Sequence, residues 1–571
     1  CLTSYLITTT DRSRWPNSGH LVFMGTFCLP DDPDSLLDKY TYEIADTSFS
    51  SDETLYCFHE AEIFHTLSSI RIAQILNNVH CLEKSEKYWA ILTGVWLRLF
   101  TDLISSRLST LRKLISTHVG LRIIVEDSDL INRAAFNTAD FHKLTRNAGW
   151  NSLVYLDLWD LAQSDFNSTS IYGFKPLPIK PLDISNHQSD FVLSATYLPR
   201  FQEILLQLRL FSFPRRINVI PAPTENVNKQ MRDRLTPDHG HQDKFTQEFF
   251  NLICRYIPTV FLEGFNNAAN MIPKMKFPLH PRAIFTSNRH LYDDVFNLWA
   301  AEATECGSCL VLGQHGGNYG ISRFPSYAER HESFIANAYV TWGWETKPKS
   351  IPGIIFTTIG FRWKRSKNPT RALIVTDHLW SQPRTAFHDL NESSDYLEHI
   401  LSLVRSLHPK IQDSLKVRLH NGQSETGSRV NNIWREQLPS IDFGKPKDSF
   451  AKVVGSAKMV IVAHNSTTLP ETMSLGIPTL ITWTQNWVEI REDAEPIFAK
   501  LAEVGIYHVD PVALANHISN IWEDVDGWWN SSEVLKAREL FCCYYARAVP
   551  KPLRFLHQLL VDVSPTGEKR I

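Results

Sequence analysis

The second half of the chain alternates short apolar runs with longer amphipathic segments, and this alternation restricts its fold more than any other feature. The apolar runs are predicted strands, and the segments between them have the spacing of helices with one apolar face. The predicted strands are ALIVTD (372–377), KVRLH (416–420), AKMVIVA (457–463), PTLITW (478–483) and GIYHV (505–509). Apolar strands joined by helices indicate parallel βαβ units whose sheet is covered on both faces.

The first half shows the same order with longer helical insertions. Its predicted strands are AIFTSN (283–288), CLVLGQ (309–314) and AYVTWGW (338–344), and the runs YLITTT and LVFMGTFC open the chain as strands of a sheet. The sequence therefore predicts an α/β protein of two Rossmann-like lobes with a helical N-terminal insertion. We place the N-terminal lobe at residues 1–365, the C-terminal lobe at 366–530 and a helical tail that packs back on the N-terminal lobe at 531–571.

Composition excludes several functional classes. A chain of 571 residues exceeds one compact core, which favours two lobes. The net charge of -3, with 58 basic and 61 acidic residues, lacks the positive excess that binds nucleic acid. The most apolar segment, 88–104, is interrupted by Arg98 and Asp102, so we predict a buried core helix. The nine cysteines include a single CxxC, at 306–309, with no second pair at zinc spacing, and we expect a reduced, cytoplasmic setting.

Polar residues follow the predicted strand 457–463, at the sheet edge where parallel α/β proteins bind ligands. Hydroxyl groups and the free N–H groups at the start of the next helix suit a phosphate, and a carboxylate suits a ribose diol. The residues concerned are Asn465, Ser466, Thr467, Thr468 and Glu471, with the helix predicted to open at Pro470. This pattern favours a nucleotide, and the alternative is an ordinary helix capped by Thr468.

A second strand end carries the stretch VLGQHGGNYG, residues 311–320. Gly316 and Gly317 allow the backbone to approach a ligand closely or to adopt a positive φ. Gln314 and His315 can donate hydrogen bonds to a ligand, and a histidine can also move a proton. The alternative is that His315 has only a structural role.

Charged residues elsewhere are more ambiguous. Glu489 follows the strand PTLITW and is either a site residue or a solvated helix charge. The consecutive polar residues 329–332 either line a cleft or form the solvated face of a short helix, and we favour the solvated face. The polar residues between His59 and His65 are expected at the surface or near an acceptor rather than around a metal ion.

An ordered series of motifs adds a family resemblance. GQHGGNYG, ERHESFIANAYVTWGW, NSTTLPETMSLGIPTLITW and WVEIREDAEPIFAKLAEVGI together resemble the sugar-transferase family of bacterial O-antigen and other surface-polysaccharide gene clusters. The resemblance extends from about residue 4 to residue 548. It implies a two-lobe glycosyltransferase of the GT-B type, with the nucleotide sugar held by the C-terminal lobe and the acceptor by the N-terminal lobe. It also implies catalysis without a metal ion or cofactor, with a CMP- or UDP-linked sugar as substrate.

The strand-end residues then have expected roles in such a reaction. His315 is expected to act as base or to contact the reacting sugar, and Asp377 is a candidate nucleophile. The expected donor-binding residues are Gln314, Gly316, Gly317, Arg418, Asn465, Ser466, Thr467, Thr468, Glu471 and Glu489.

The implied reaction transfers a sugar to a hydroxyl of a surface polysaccharide or lipopolysaccharide O-antigen glycan, which can be lipid-linked. The implied location is the cytoplasm, and peripheral association with the cytoplasmic membrane face stays open. Alternatives are a nucleotide-sugar epimerase, a polyol-phosphate transferase, and a non-catalytic glycan- or nucleotide-binding protein.

Overall fold

The structure is a computed structural model, and it describes most of the chain. The described residues are 3–30, 39–124, 133–164, 190–213, 219–235, 244–346, 350–361, 363–377, 385, 392–419, 434–444, 450–484 and 488–564. The segment 164–195 is rich in Ser, Pro and Asp and lacks periodicity, which predicts a long surface loop, and most of it lies outside the described residues.

Three parallel sheets organise the described residues. The N-terminal sheet contains β1 (Ser4–Ile7), β2 (His20–Phe23), β3 (Thr41–Ile44) and β4 (Arg122–Ile123), in the order β3-β2-β1-β4. The central sheet contains β5 (Phe191–Leu193), β6 (Ala283–Thr286), β7 (Cys309–Gly313), β8 (Ala338–Thr341) and β9 (Ser350–Pro352), in sequential order. The C-terminal sheet contains β10 (Arg371–Val375), β11 (Lys416–Arg418), β12 (Asp442–Phe443), β13 (Ala457–Val462), β14 (Thr479–Thr482) and β15 (Tyr507–His508), in the order β12-β11-β10-β13-β14-β15.

Helices connect the strands and cover the sheets. In the first half these are α1 (Ser51–His80), α2 (Glu86–Thr117), α3 (Thr138–Leu144), α4 (Ala148–Ala162), α5 (Arg200–Arg209), α6 (Lys229–Asp233), α7 (Lys244–Tyr256), α8 (Phe265–Ala269), α9 (Asp294–Glu305) and α10 (Tyr327–Ile335). In the second half these are α11 (Glu392–Ser406), α12 (Pro409–Gln412), α13 (Phe450–Gly455), α14 (Thr468–Ser474), α15 (Glu495–Glu503), α16 (Pro511–Ile521), α17 (Val525–Trp529), α18 (Ser532–Tyr545) and α19 (Pro552–Val563).

The observed pairing confirms the predicted α/β class with Rossmann-like parallel sheets. Every described strand pair within the sheets is parallel, as expected for apolar strands joined by helices. The two runs that open the chain form the N-terminal sheet together with β3 and β4, separate from the central sheet. The predicted boundary between the lobes, at residues 365 and 366, lies between β9 and β10, and the lobe boundaries themselves stay a prediction.

Helix α2 contains the most apolar segment of the chain and is the buried core helix that the sequence predicts. Trp89 and Trp96 are almost fully buried on it, and α2 contacts α1, α4, α9 and α10. Arg98 and Asp102 are buried as well. Among the described residues, no helix combines the length and apolar character needed to cross a bilayer.

Candidate active site

Two loops that follow strand ends meet between the central and C-terminal sheets. The first follows β7 and contains Gly317, and the second follows β13 and contains Ser466. A Cβ atom on Gly317 would lie 2.3 Å from the carbonyl oxygen of Ser466 and 2.8 Å from the backbone nitrogen of Thr467. No side chain fits there, so the two loops contact each other through their backbones. We call this junction between the two sheets the cleft.

The reason for the paired glycines therefore differs from the prediction. Gly317 is needed because another loop of the protein, rather than a ligand, packs against it. In this stretch the positive φ occurs at Gly320, at 73°, where a Cβ would also collide with the Trp344 indole. At Gly316 a Cβ would approach the side chains of Asn318 and Tyr319.

Gln314 fixes the loop that carries the glycines. Its side-chain oxygen accepts hydrogen bonds from the Trp342 backbone N–H at 2.8 Å and from the Trp344 indole N–H at 2.9 Å. Its amide nitrogen donates to the Gly316 carbonyl oxygen at 2.7 Å. The side chain is buried, so Gln314 holds the loop in the conformation that presents His315.

His315 is oriented by a buried carboxylate. Its Nδ1 lies 3.1 Å from Oε1 of Glu332, and its side chain is 15% exposed whereas that of Glu332 is 0% exposed. The Tyr319 hydroxyl lies 3.3 Å from each ring nitrogen of His315. A histidine held by a buried carboxylate and partly exposed at a cleft is the arrangement that general bases use.

Glu332 is charged at neutral pH because several groups favour its ionised form. Its oxygens lie 3.1 Å from Nε2 of His290 and accept a hydrogen bond from the Tyr339 hydroxyl at 3.1 Å. Burial raises the pKa of the Glu332 carboxyl, but His315 and His290 outweigh burial and lower the pKa to about 2. We call His290, His315, Tyr319, Glu332 and Tyr339 the histidine–glutamate cluster.

The prediction of a solvated face on α10 is wrong. All four polar residues over 329–332 are buried, and Arg330 pairs with Asp102 of α2 and Glu62 of α1. Four consecutive residues point to nearly all sides of a helix, about 100° apart, so they cannot share one solvated face. That geometry, together with the charges inside the apolar helix α2, is the signal that could have indicated a buried network.

Tyr197 and Asn288 extend the site to the ends of β5 and β6. The Tyr197 ring centroid lies 5.8 Å from that of His315, and Nδ2 of Asn288 donates to the Tyr197 hydroxyl at 3.4 Å. Ala195 and Tyr197 have φ values of 51° and 63°, a strained conformation for side chains with a Cβ that is common at functional sites. Neither residue was predicted from the sequence: the short run around β5 gives no strand periodicity, and Asn288 was read only as the last residue of the predicted strand 283–288.

On the other side of the cleft, α14 begins two residues earlier than predicted. Its N-cap is Thr467, which makes no side-chain hydrogen bond to the first turn, so the alternative of a helix capped by Thr468 is not observed. The Ser466 hydroxyl and backbone N–H lie 2.7 and 3.1 Å from Nδ1 of His464. Asn465 is buried, and Thr468 is half-buried.

Glu471 connects this side to the central sheet. Burial raises the pKa of its carboxyl, which is half-buried on α14. Burial also raises the pKa of Tyr197, and smaller contributions come from the negative charges of Glu332 and Glu471. The two carboxylates therefore lie within electrostatic reach of the same tyrosine, one from each side of the cleft.

Arg418 and Asp377 lie at neighbouring strand ends of the C-terminal sheet. Arg418 ends β11 and Asp377 follows β10, which lies between β11 and β13. The backbone N–H of Asp377 donates to the Tyr396 hydroxyl at 2.8 Å. Both residues thus share the sheet edge with the 463–468 loop, and neither belongs to the histidine–glutamate cluster.

Glu489 connects the two sides of the junction. Its carboxylate pairs with Arg323 at 2.7 Å, and its carbonyl oxygen accepts the Arg323 backbone N–H at 2.8 Å. Ser322 and Ile490 form an antiparallel β-bridge beside this pair. Glu489 therefore connects the loop after β7 with the segment after β14.

Comparisons with known proteins give the family of the chain and several solved structures that are similar to it. A family model described as LIC12162 family transferase matches residues 4–560. No curated protein sequence gives a significant match. Three solved glycosyltransferases are similar at low TM-scores. They are the spinosyn rhamnosyltransferase SpnG complexed with spinosyn aglycone (12% identity, 52% of this chain, 77% of that chain, TM-score 0.29), MurG of Acinetobacter baumannii (12%, 65%, 99%, 0.32) and WaaG, a glycosyltransferase involved in lipopolysaccharide biosynthesis (12%, 66%, 100%, 0.30).

Proposed function

Since the chain belongs to the LIC12162 family of transferases, we propose that it is a glycosyltransferase of the two-lobe GT-B type. It moves a sugar from a nucleotide-sugar donor to a hydroxyl of a surface polysaccharide or O-antigen glycan. The donor base lies on the C-terminal sheet, the acceptor lies on the central sheet, and the reaction takes place in the cleft between them.

The observation that carries this proposal is the pairing of His315 with Glu332 next to the contact between Gly317 and Ser466. An acceptor hydroxyl needs a base when it attacks a sugar carbon, and a base needs a fixed orientation. Glu332 supplies that orientation from a buried position. The neighbouring strand ends of the C-terminal sheet lie across the cleft, where the donor would bind.

In the proposed reaction, the acceptor oxygen forms a bond to the anomeric carbon as the bond from that carbon to the phosphate oxygen breaks. With Nδ1 directed at Glu332, Nε2 of His315 takes the proton of the acceptor hydroxyl. The charged Glu332 stabilises the imidazolium that forms, as in other carboxylate–histidine pairs. The nucleoside phosphate leaves with the electron pair of the broken bond.

The proposed donor site uses the edge of the C-terminal sheet. Arg418 can neutralise the leaving phosphate as a charged hydrogen-bond donor. The hydroxyl groups of Ser466, Thr467 and Thr468 can donate to phosphate oxygens, and Glu471 can accept from the ribose hydroxyls. Asp377 shares this edge and stays the candidate nucleophile of a two-step reaction. Binding of CMP or UDP in this way needs no metal ion.

The first test measures nucleotide binding by thermal unfolding with CMP, UDP, GDP and TDP. A ligand that binds only the folded protein raises its melting temperature by mass action. We expect a cytidine or uridine nucleotide to raise the melting temperature and the Glu471→Ala variant to lose most of that rise. If none of the four nucleotides shifts the melting temperature, the proposed donor class is wrong.

The second test separates the reaction classes with a radiolabelled nucleotide sugar. We expect transfer only when a glycan acceptor fraction is present, and conversion without any acceptor would indicate an epimerase instead. His315→Ala should lower turnover by roughly 10² to 10⁴ while the nucleotide-induced melting shift persists. His280→Ala, in the turn before β6, is the matched control and should keep full turnover. Equal turnover of the two variants would contradict the role of His315.

A further inference from the structure

Helix α5 has apolar residues on both of its faces. Leu206, Gln207 and Leu210 are buried against the central sheet and α19. The opposite side, at helical spacing, carries Phe201 and Leu208, which are 67% and 54% exposed. A surface helix normally presents polar residues to water, so the outward apolar face of α5 is unusual.

The C-terminal end of α5 is unusual as well, because a phenylalanine occupies a backbone position that favours glycine. The Ser212 N–H donates to the Gln207 carbonyl and the Phe211 N–H donates to the Leu208 carbonyl, which is the hydrogen-bond pattern of a Schellman motif. The left-handed position of this motif usually holds glycine, but here it holds Phe211, with a φ of 55°. Phe211 is also 95% exposed, so the packing of its ring does not compensate for the strained backbone.

These exposed apolar residues lie on one side of α5 and on the turn that follows it. Phe213 follows at 82% exposure, and we call Phe201, Leu208, Phe211 and Phe213 the α5 surface. Single exposed apolar residues are normal. Several large ones on one helix and its C-terminal turn indicate a surface that is covered by another molecule when the protein functions.

Exposed basic residues lie at both ends of α5 and on the helix beside it. Arg200 and Arg209 are exposed at the two ends of the helix. Helix α19 packs beside α5 and presents exposed Lys551 and Arg554 at its N-terminal end. The acidic Glu203 of α5 is directed inward, where its carboxylate accepts the Thr196 hydroxyl at 2.5 Å. The exposed charged side chains of α5 itself are therefore both positive, and α19 carries basic residues at its N-terminal end and exposed Asp562 near its C-terminal end.

We propose that the α5 surface docks the protein on an anionic lipid bilayer. The phenylalanines enter the region between headgroups and acyl chains, and the arginines and lysine contact the anionic headgroups. An apolar helix face with basic residues at its borders has the composition of helices that lie in the plane of a membrane surface. This charge complementarity favours a lipid surface over a second copy of the chain, whose matching surface would repel it.

The bilayer contact goes beyond the proposed function, because it names a partner of the protein whatever sugar the cleft transfers. It also has a consequence for the acceptor. Helix α5 begins three residues after Tyr197, which contacts His315 in the cleft. Docking through α5 would therefore hold the cleft close to the bilayer surface, where lipid-linked glycans are found.

The test is vesicle co-sedimentation of the full chain, without nucleotide. The probes are vesicles of phosphatidylcholine alone and vesicles that contain equal amounts of phosphatidylcholine and phosphatidylglycerol. We expect binding to the anionic vesicles, weaker binding to the neutral ones, and loss of binding at high salt through screening. If the chain does not bind the anionic vesicles, the proposal is wrong.

Variants connect the binding to the α5 surface. The double variant Phe211→Gly with Phe213→Ser should bind anionic vesicles at least about tenfold more weakly, since it removes two aromatic rings from the lipid contact. Glycine suits the left-handed position, so Phe211→Gly alone should not lower the melting temperature. Val119→Ser is the matched control, because Val119 is 97% exposed after α2 and lies outside the α5 surface. It should bind vesicles like the wild type.

Two results would overturn the proposal. One is a double variant that binds anionic vesicles as tightly as the wild type. The other is a wild type that is a dimer in solution and a double variant that is a monomer with unchanged vesicle binding, because a second copy would then cover α5. Transfer to a water-soluble acceptor should persist in the double variant, so failure of the lipid proposal leaves the proposed reaction separately testable.

Discussion

At the scale of single residues, two glutamates on α10 have opposite electrostatic environments. Glu332 lies among histidine and tyrosine side chains that favour its charged form. For Glu329, burial is the largest effect and raises the pKa of the carboxyl to about 8. Its Oε1 accepts a hydrogen bond from the Gly320 N–H at 3.3 Å, and its Oε2 is buried without a partner among the described residues. The same helix thus holds one carboxylate and one carboxyl group that is neutral at pH 7.

Glu332→Gln should destabilise the protein at neutral pH. The pKa of Glu332 is lowered from 4.5 to about 2 by folding, so its stabilising effect is present above about pH 4.5 and is lost as the pH falls towards 2. We expect a loss of about 3 kcal/mol at pH 7 and a smaller difference from the wild type at pH 3, measured by urea unfolding. A pH-independent difference would contradict this explanation. Glu503→Gln, in an exposed pair with Lys500, is the control and should change stability little.

Glu329→Gln should have the opposite effect. Folding raises the pKa of this carboxyl from 4.5 to about 8, so the folded state binds more protons than the unfolded state between these values, and wild-type stability falls as the pH rises. Glutamine keeps the acceptor for the Gly320 N–H and removes the charge. We expect the variant to be more stable than the wild type at pH 8, by roughly 3 kcal/mol, with a smaller gain at pH 5. Thermal unfolding from pH 5 to pH 9 measures this, and a variant that is less stable at pH 8 would contradict it.

At the scale of elements, the cleft depends on the close approach of two loops. The loop after β7 and the loop after β13 come together at Gly317 and Ser466, and α10 is anchored behind them by the ion pairs of Arg330 with α1 and α2. Removal of one partner of a buried ion pair leaves an uncompensated charge, so substitution of Arg330 or of its partners should lower the stability of the whole protein. The contact at Gly317 can be changed alone.

Gly317→Ala should separate the two loops. The new Cβ would lie 2.3 Å from the Ser466 carbonyl oxygen, which is a backbone atom that cannot rotate away. We expect a destabilisation of about 1–3 kcal/mol, typical of overpacking, together with a loss of sugar transfer. Gly149→Ala on α4 is the matched control, since its nearest contact would be the Asn147 side chain at 3.3 Å. Wild-type transfer by the Gly317→Ala variant would show that the loop contact is not needed for the reaction.

At the scale of the whole molecule, the chain belongs to the transferase family that the motif series predicts, and it is an enzyme of that class.

The end of the chain connects the two sheets at the cleft. Helix α18 packs on α14 and α15 beside the C-terminal sheet, whereas α19 packs on α5 beside the central sheet. Between them, the Arg547 N–H donates to the Trp342 carbonyl at 2.9 Å. The last helices therefore contribute to the cores on both sides of the cleft.

Leu556→Ala should weaken the central side. Leu556 is buried on α19 in the same apolar cluster as Phe285 and Val311 of the central sheet. Removal of its buried methyl groups should cost about 2–5 kcal/mol and lower the melting temperature by several degrees. Leu540→Ala on α18, at a half-exposed position, should cost much less. Equal costs would indicate that α19 is not part of this core.

The sequence by itself determined the elements and the location of the polar strand ends. Strand and helix periodicity are local properties, so α2, the parallel strands and the ends at His315 and Ser466 could be predicted from short stretches. The start of α14 was placed two residues too late, because proline is favoured at the first helical position but fits throughout the first turn.

Only the tertiary structure decided which of these ends meet and what surrounds them. Gly317 touches Ser466 across the cleft, and Glu332 is buried between His290 and His315 although its own segment resembles a solvated helix face. Tyr197 reaches His315 from the loop after β5, a strand with no periodic signal in the sequence. Burial and charge state depend on partners that lie far away in sequence, so local patterns could place His315 but could not supply the carboxylate that orients it.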